Sequence, residues 1–254
     1  MKKRIFYIVI SFLFFCSSGI AQTLELIKER NLLRIGTTGD YQPFSYMSGE
    51  DLKGIDITMA KNLATSLGVE VKFVNTSWPT LMDDLLANKY EIGMSGISIT
   101  PERQKTASFS IPMLSDGKAA ISRDEDAHKY TTIAAINNPN VRVIFNPGGT
   151  NEIFARENFP DAQLILNEDN ITIFDKIIAG KADVMVTDAV ETIIQQNIHP
   201  ELEAVNPDKP FNKSEKAYLI NKDPKFKAYI DQWLDMSLKD GSFKEIYDGE
   251  LNMQ

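Results

Sequence analysis

Residues 59–74, MAKNLATSLGVEVKFV, join a helix to a strand and decide the fold class. Met59, Leu63 and Leu67 recur at every fourth position, which places their side chains on one face of a helix. Gly68 ends that helix, and the apolar–polar alternation that follows it predicts a strand. The stretch is therefore typical of a helix that returns the chain to a sheet.

Similar segments flank this unit on both sides. A strand is predicted at 33–36, ahead of the helix, and another at 90–94. The spacing of Leu81, Leu85 and Leu86 indicates a second helix between the later strands. Strands that alternate with helices favour a largely parallel sheet with helices on both faces.

The same alternation returns in the second half of the chain. Strands are predicted at 141–145 and 183–186, with helices at about 151–157 and 171–178. Apolar residues at helical spacing over 226–234 indicate a further helix. The chain is thus predicted to be an α/β protein of two lobes with a ligand cleft between them.

Two segments, near 113–118 and 208–214, are the predicted crossings between the lobes. One lobe is expected to comprise residues 22–115 and 212–254, and the other residues 116–211. In open α/β sheets, ligands bind beyond the carboxyl ends of the strands. The unusual residues of this sequence cluster at those ends, which predicts a binding site in the cleft.

The amino terminus has the pattern of a secretory signal. Basic residues at 2–4 precede an apolar run at 5–15, which is shorter than the roughly 20 residues of a membrane span. Residues 1–21 are therefore expected to be cleaved and the protein to reach the periplasm without a membrane anchor. A lipoprotein acylated at Cys16 is the alternative, but Phe15 stands where that signal requires a small residue.

Charge and composition exclude several function classes. The signal holds three of the 27 Lys and Arg residues and none of the 35 Asp and Glu residues, so the remaining chain has a net charge of −11. This acidic balance argues against nucleic acid and anionic membranes as partners. The one cysteine lies in the signal, which excludes disulfides and thiol nucleophiles. His128 and His199 stand alone in polar stretches, so no metal site is expected.

Aromatic residues mark the first candidate cluster. Tyr41 and Trp78 each follow a predicted strand, in turn-like sequence that contains Pro43 and Pro79. Side chains in such positions could stack on a flat or ring-shaped ligand. Ordinary packing at the edge of a lobe is the alternative interpretation.

The second cluster follows the strand at 90–94. Ser95, Gly96 and Ser98 offer hydroxyl groups and exposed backbone amides, and they lead to Arg103. Arginine can grip a carboxylate through two parallel hydrogen bonds. The alternative is a helix cap at Thr100 followed by solvated charges.

The third cluster joins a strand to a helix and contains Asn146, Gly149, Thr150 and Asn151. Glycine lets a backbone approach a ligand, and a helix amino terminus offers free N–H groups to an anion. A structural tight turn is the alternative. The segment is not a nucleotide-binding P-loop, because the Gly-Lys-Ser/Thr that should follow is absent.

Two acids form the fourth cluster. Asp188 and Glu191 lie three residues apart where a predicted strand enters a helix, so they can share one helix face. One could hold an amine of the ligand and the other could transfer a proton. The alternative is a pair of first-turn acids that the helix dipole favours.

Together these clusters resemble the amino-acid-binding site of periplasmic solute-binding proteins. The motifs run in the order Tyr-x-Pro-Phe, Gly-Ile-Asp, Met-Ser-x-x-Ser-x-Thr-x-x-Arg, Gly-Gly-Thr and Thr-Asp. The resemblance implies that aromatic rings sandwich the ligand side chain. It also implies that Arg103, with Ser95, Ser98 and Thr150, holds the α-carboxylate and that Asp188 binds the α-amine.

A closer resemblance, over nearly all of the chain after the signal, is to the periplasmic cyclohexadienyl dehydratases, which share the type II periplasmic binding protein fold. The segments that carry it are 37–41, 43–46, 76–79, 94–98, 116–118, 146–152, 169–170, 187–189 with Glu191, and 216–219. It implies action on prephenate and arogenate, with release of carbon dioxide and water.

This reaction makes the substrate ring aromatic, so it requires a general acid but no metal or organic cofactor. By resemblance, Glu191 is that acid. Arg103 is expected to bind the side-chain carboxylate, and Lys118, Thr150 and Asn151 are candidates for the ring carboxylate. Neither the preference between the two substrates nor the oligomeric state follows from the sequence.

One physical argument opposes this role. The helix dipole favours Glu191 as an anion, and the ordinary pKa of a glutamate is about 4.3, whereas a general acid must be protonated. Desolvation on lobe closure, the charge of Asp188 and the carboxylates of the substrate act in the opposite direction. We expect these effects to prevail in the closed complex.

The main rival function is a non-catalytic protein that delivers an amino acid or small carboxylate to an ABC transporter. A signalling or adhesion module is a third possibility. Transport requires only one acid to grip an amine, and Asp188 could supply it. The second acid beside it, Glu191, favours catalysis.

Overall fold

Two five-stranded sheets organise the protein, whose computed structural model describes residues 23–252. The predicted signal peptide at 1–21, including the possible acylation site at Cys16, lies outside the described residues. Among the described residues, no helix is both long enough and apolar enough to cross a membrane.

The first α/β unit agrees with the helix-to-strand pattern of residues 59–74. Its elements are α1 (Thr23–Arg30), β1 (Leu32–Thr37), β2 (Asp40–Tyr41), β3 (Ser45–Ser48), β4 (Asp51–Lys53), α2 (Ile55–Leu67), β5 (Glu70–Asn75), α3 (Leu81–Leu86), β6 (Ile92–Gly93), α4 (Pro101–Thr106) and β7 (Ser108–Phe109). Gly68 ends α2 with a φ of 70°, in the left-handed region that glycine adopts without steric cost.

A short strand leads to the second unit, and a second short strand leads back. The elements are β8 (Leu114–Asp116), β9 (Lys118–Arg123), α5 (Ile133–Ile136), β10 (Arg142–Phe145), α6 (Thr150–Asn158), β11 (Gln163–Leu166), α7 (Ile173–Ile178), β12 (Val184–Asp188), α8 (Ala189–Ile198), β13 (Leu202–Val205), β14 (Ser214–Lys216), β15 (Leu219–Ile220), α9 (Pro224–Asp240) and α10 (Ser242–Asn252). Short 3₁₀ helices span Asp124–Lys129 and Asn170–Thr172.

The two sheets share one design. The strand order is β5-β1-β6-β15-β7 in the first and β11-β10-β12-β9-β13 in the second. In each sheet one strand, β15 or β9, runs antiparallel to both neighbours. These two strands follow the crossings, so the chain enters each sheet from the side of the other lobe. The prediction of largely parallel sheets is therefore confirmed, with one reversed strand in each.

The two crossings pair with each other. Strands β8 and β14 form an antiparallel ribbon in which Asp116 lies opposite Ser214 and Leu114 lies opposite Lys216. Strand β8 lies within the segment predicted near 113–118, whereas β14 overlaps the segment predicted near 208–214 only at Ser214. The ribbon is the covalent connection between a first lobe, built on the first sheet, and a second lobe, built on the second.

Each sheet separates two clusters of buried apolar side chains. In the second lobe, Val143 and Phe145 belong to one cluster and Ile144 to the other. In the first lobe, Ile220 and Leu219 divide in the same way. Because successive strand residues point to opposite faces, both faces are covered by apolar contacts. Polar side chains are left to the strand ends, where the two lobes meet.

Candidate active site

A small cavity of about 20 Å³ lies between the two lobes. Its lining residues are Tyr41, Trp78, Gly96, Ser98, Arg103, Asn146, Gly149, Thr150, Asn151, Asn170, Asp188 and Glu191. All but Asn170 are candidate site residues from the sequence. In the described part of the chain, no group of three or more His, Cys, Asp or Glu side chains could hold a metal ion.

Two predicted site residues, Ser95 and Lys118, lie behind this lining. The Ser95 hydroxyl is fully buried and lies 2.8 Å from the Thr38 hydroxyl and 2.6 Å from the Ser45 hydroxyl. It therefore joins neighbouring segments of the first lobe rather than facing the cavity. Lys118 is also buried, but its ammonium group contacts three of the lining residues.

Arg103 combines a helix-cap contact with a position at the cavity. The Thr100 hydroxyl caps α4 by accepting a hydrogen bond from the backbone N–H of Arg103 at 3.2 Å. The guanidinium group of Arg103 is buried at the cavity and donates to the Ser98 carbonyl at 2.8 Å. Burial lowers its pKa to about 10, so the group remains a cation at neutral pH.

The aromatic residues form a corner of the cavity. Tyr41 and Trp78 meet edge to face, with 5.7 Å between ring centroids and 76° between planes. The Trp78 indole donates to Asp40 Oδ1 at 3.1 Å. Tyr41 also belongs to the core cluster of the first lobe, so packing and cavity lining coexist. Their geometry provides two walls at a right angle rather than two parallel plates.

Asp188 is the centre of an ion cluster that joins the lobes. Its Oδ1 accepts a hydrogen bond from Lys118 Nζ at 2.8 Å, and its Oδ2 accepts from Lys216 Nζ at 2.6 Å. The Tyr41 hydroxyl donates to the same Oδ2 at 2.5 Å. Burial opposes ionisation of Asp188, but the two ammonium groups outweigh it and hold the pKa below its ordinary value. The acid expected to bind a ligand amine thus has both oxygens engaged by the protein.

Lys216 is the functional residue that the sequence argument missed. Its side chain is fully buried, donates to the Gly96 carbonyl at 3.1 Å, and lies 5.1 Å from the Tyr41 ring centroid. Lysines are rarely buried without a charged partner. The sequence does place this lysine beside the apolar residues Ala217 and Tyr218, which is compatible with burial. The segment pointed to the site only through the family resemblance.

Asn170 is the second missed residue. It begins the 3₁₀ turn of the second lobe, and its Nδ2 donates to the backbone carbonyl of Asp40 in the first lobe at 3.0 Å. The segment 169–170 entered the sequence argument only through the family resemblance. The contact closes one side of the cavity.

Glu191 lies in the first turn of α8 with 3% of its surface exposed. The Thr187 hydroxyl donates to its Oε2, and Asn151 Nδ2 donates to that hydroxyl at 3.0 Å. Burial is the largest influence and, with the charge of Asp188, raises the pKa of Glu191 to about 8 against the Thr187 bond and the nearby lysines. The carboxyl is therefore mostly protonated at neutral pH, as the expected role requires.

The third predicted cluster surrounds Lys118. The ammonium group donates to the Thr150 hydroxyl at 2.9 Å and also to Asn151 Oδ1. Asn151 Nδ2 in turn donates to Asn146 Oδ1 at 3.1 Å. These polar side chains sit where β10 leads into α6, at the edge of the cavity.

The glycines beside this cluster let the lobes approach. Gly148 has a φ of 75°, and a Cβ there would lie 2.5 Å from Pro79 of the first lobe. Gly149 lines the cavity near Trp78. The close approach therefore depends on the absence of a side chain at Gly148.

The chain is similar both to a family of binding proteins and to an enzyme. The model of the bacterial extracellular solute-binding proteins, family 3, matches residues 33–251. A curated cyclohexadienyl dehydratase from Pseudomonas aeruginosa is 48% identical over 223 residues, which cover 87% of this chain and 83% of that protein.

Solved structures give two further relatives. An ancestral cyclohexadienyl dehydratase is 50% identical, with a TM-score of 0.58 over 91% of this chain and 97% of the other. An ancestral amino-acid-binding protein, described as a precursor of cyclohexadienyl dehydratase, is 34% identical, with a TM-score of 0.85 over 90% of this chain and 99% of the other. Proteins similar to this chain thus include both dehydratases and an amino-acid-binding protein.

Proposed function

Since the chain belongs to the bacterial extracellular solute-binding proteins, family 3, we propose its function from what the cleft adds to that fold. The protein is a cyclohexadienyl dehydratase, a carbon–oxygen lyase, in keeping with its 48% identity to such an enzyme. Its substrates are prephenate and arogenate, and its place of action is the periplasm. The family's extracellular character supports that location.

The observation that carries the proposal is the protonated Glu191. A buried carboxyl with a pKa of about 8 faces the cavity beside an ionised Asp188. Neighbouring acids whose pKa values are shifted in opposite directions are typical of sites that carry out acid–base catalysis. In the reaction, Glu191 donates its proton to the ring hydroxyl, which leaves as water. The ring carboxylate departs as carbon dioxide, and its bonding electrons complete the aromatic ring.

The two carboxylates of the substrate have separate partners. Arg103, on the first lobe, binds the side-chain carboxylate, because its buried guanidinium retains donors beyond the one used on Ser98. On the second lobe, Thr150 and Asn151 bind the ring carboxylate, and Lys118, which donates to both of them and to Asp188, supplies the positive charge that attracts it. The substrate would therefore be held from both lobes, with Glu191 at the departing hydroxyl.

The state of Asp188 favours catalysis over carriage. By family resemblance, a carrier of amino acids uses this acid for the ligand amine. In this chain Lys118, Lys216 and Tyr41 already occupy both of its oxygens. Asp188 is better suited to hold two cations in place and to keep Glu191 protonated by its charge.

Turnover of prephenate tests the proposal directly. Purified protein is incubated with prephenate, and phenylpyruvate is followed by its absorbance against a protein-free sample that records spontaneous decay. Arogenate is tested in parallel by quantifying phenylalanine. We expect both products to form above the spontaneous rate. Saturable binding of either compound without product would instead identify a carrier.

A further inference from the structure

Glu191 faces a second space besides the cavity. It also lines a groove of about 420 Å³ that runs between the lobes on the side of β2 and α8. Met47, Ile171 and Ile198 line the same groove and are 52%, 67% and 40% exposed. The groove is therefore reached by solvent, whereas Glu191 itself is buried.

A hydrogen-bonded strut separates the two spaces. Trp78, which lines the cavity, donates to Asp40 Oδ1, and Asn170 donates to the Asp40 carbonyl across the cleft. Asp40 lines the groove but not the cavity, while Asn170 and Glu191 line both spaces. Glu191 thus borders the groove while the hydrogen bond between Asn170 and the Asp40 carbonyl remains intact.

A polar stripe leads from Glu191 along this groove. Glu191, Gln195 and His199 follow one another at intervals of four residues and all line the groove. Eight residues of helix span about 12 Å. Gln195 is buried, and the half-exposed His199 ring is stacked against Phe174, with 6.4 Å between centroids. The stripe therefore runs from the buried acid to the protein surface.

The charges along the groove favour the entry of protons and oppose the entry of the substrate. Its charged or titratable lining groups other than Glu191, Tyr46 and His199 are Asp40, Glu168 and Asp169. On the cavity side, Asp188, Lys118 and Lys216 are the charged groups that act on Glu191. An acidic channel repels a substrate with two carboxylates but attracts cations.

We propose that this groove returns a proton to Glu191 while the lobes stay closed, with Gln195 and His199 as positioning residues for the water that carries it. The inference rests on the proposed function. In each turnover the O–H bond of Glu191 breaks and its proton joins the departing hydroxyl as water. The C–O bond and the bond to the ring carboxylate break, and carbon dioxide leaves. One proton from solvent must then reprotonate the Glu191 carboxylate.

The test separates the first turnover from later ones. In Gln195→Leu an apolar side chain of similar size interrupts the water path one helical turn from Glu191. Rapid mixing with prephenate should give a first turnover at the unaltered rate, followed by a steady state at least about tenfold slower, a fraction of what general acid catalysis contributes. Imidazole buffer should restore the steady rate in a concentration-dependent manner. His199→Phe, which preserves the ring stack, should show the same pattern more weakly.

Asn197→Leu is the matched control, because Asn197 is exposed on the same helix and lines neither space. It should show no burst and no buffer dependence. Gln195→Leu with the unaltered steady rate would overturn the inference, and so would a first turnover as slow as the later ones. Absence of any turnover by the unaltered protein would instead refute the proposed function.

Discussion

The two walls of the cleft differ in kind. The first lobe presents two aromatic rings, one guanidinium and short backbone-rich turns around Tyr41, Trp78, Gly96 and Arg103. The second lobe presents Glu191 and a dense set of charged and amide side chains bonded to one another. Recognition on the first wall depends on shape and a single cation. Chemistry on the second depends on groups that set one another's protonation.

The contrast explains how one fold supports both binding and catalysis. Asp188 and Glu191 lie three residues apart at the start of one helix, yet their pKa values move in opposite directions. Asp188 has two ammonium groups within 2.8 Å, whereas Glu191 has a neutral hydroxyl donor. Glu191 keeps its proton because the ammonium groups of Lys118 and Lys216 bind the neighbouring Asp188 instead.

Glu191→Gln should break the second wall and leave the first intact. The amide keeps the shape and the bond from Thr187 but has no proton to give. We expect kcat to fall about 10²-fold to 10⁴-fold, the usual contribution of a general acid, with little change in KM. Phenylpyruvate absorbance measures both constants. Glu157→Gln, on an exposed face of α6, should retain full activity; equal losses in the two variants would contradict the role.

The pH dependence of the same group follows from its raised pKa. Activity should decline as pH rises through about 8, because Glu191 then loses its proton. The folded protein keeps that proton from pH 4.5 to about 8, where the unfolded chain has released it. Its contribution to stability is therefore lost across this window as pH rises. Glu191→Gln should have a melting temperature that depends less on pH; an unchanged slope would contradict the shift.

Asp188→Asn should damage the second wall through stability. It leaves Lys118 buried without a counter-ion and Lys216 with only Asp116, at 3.8 Å, which we expect to cost about 3–5 kcal/mol in the free energy of unfolding. Denaturant unfolding measures the loss. Asp126→Asn is the control, because Asp126 also contacts two cations, Arg123 and Lys129, but near the surface. That change should cost less than about 1 kcal/mol, and similar costs for the two would refute the buried cluster.

The sequence predicted most of the cavity lining on both walls but did not single out Lys216 or Asn170. Periodic segments such as α2 predicted the elements, and strand ends predicted Tyr41, Trp78 and Arg103, because these features are local. Lys216 escaped because its burial depends on Asp188 and Gly96, which are distant in sequence. The apolar neighbours Ala217 and Tyr218 do not by themselves show that Lys216 is buried, because a lysine can lay its aliphatic stem along apolar surface and keep its charged end in water.

Glu191 shows a different limit. The sequence exposed two opposing influences on its pKa, the helix dipole and desolvation, but not their relative size. Burial decides between them, and burial depends on how closely both lobes pack around the residue. Asn170 was missed for a related reason, because its place at the cavity depends on a bond to the backbone of the other lobe, which is distant in sequence.

Arg103→Ala should break the first wall while sparing the second. The variant loses charge-assisted hydrogen bonds to the substrate, which are worth about 1.5–3 kcal/mol and correspond to about tenfold to 150-fold in kcat/KM. The helix cap survives, because Thr100 accepts from the backbone of residue 103. Steady-state kinetics with prephenate should show the loss mainly in KM. Lys105→Ala, exposed on the same helix and paired with Glu102, is the control; an equal KM would remove Arg103 from binding.

Asn170→Ala should have the smallest effect, since it removes one of several hydrogen bonds between the two walls. Its amide donates one hydrogen bond across the cleft, worth about 1 kcal/mol, so KM should rise about fivefold as the closed state loses support. The rate of the first turnover should stay unchanged, because the groups around Glu191 remain. Asn158→Ala removes a comparable side-chain bond within α6 and should leave KM unchanged. If Asn170→Ala lowered kcat alone, the residue would belong to the chemistry of the second wall rather than to closure.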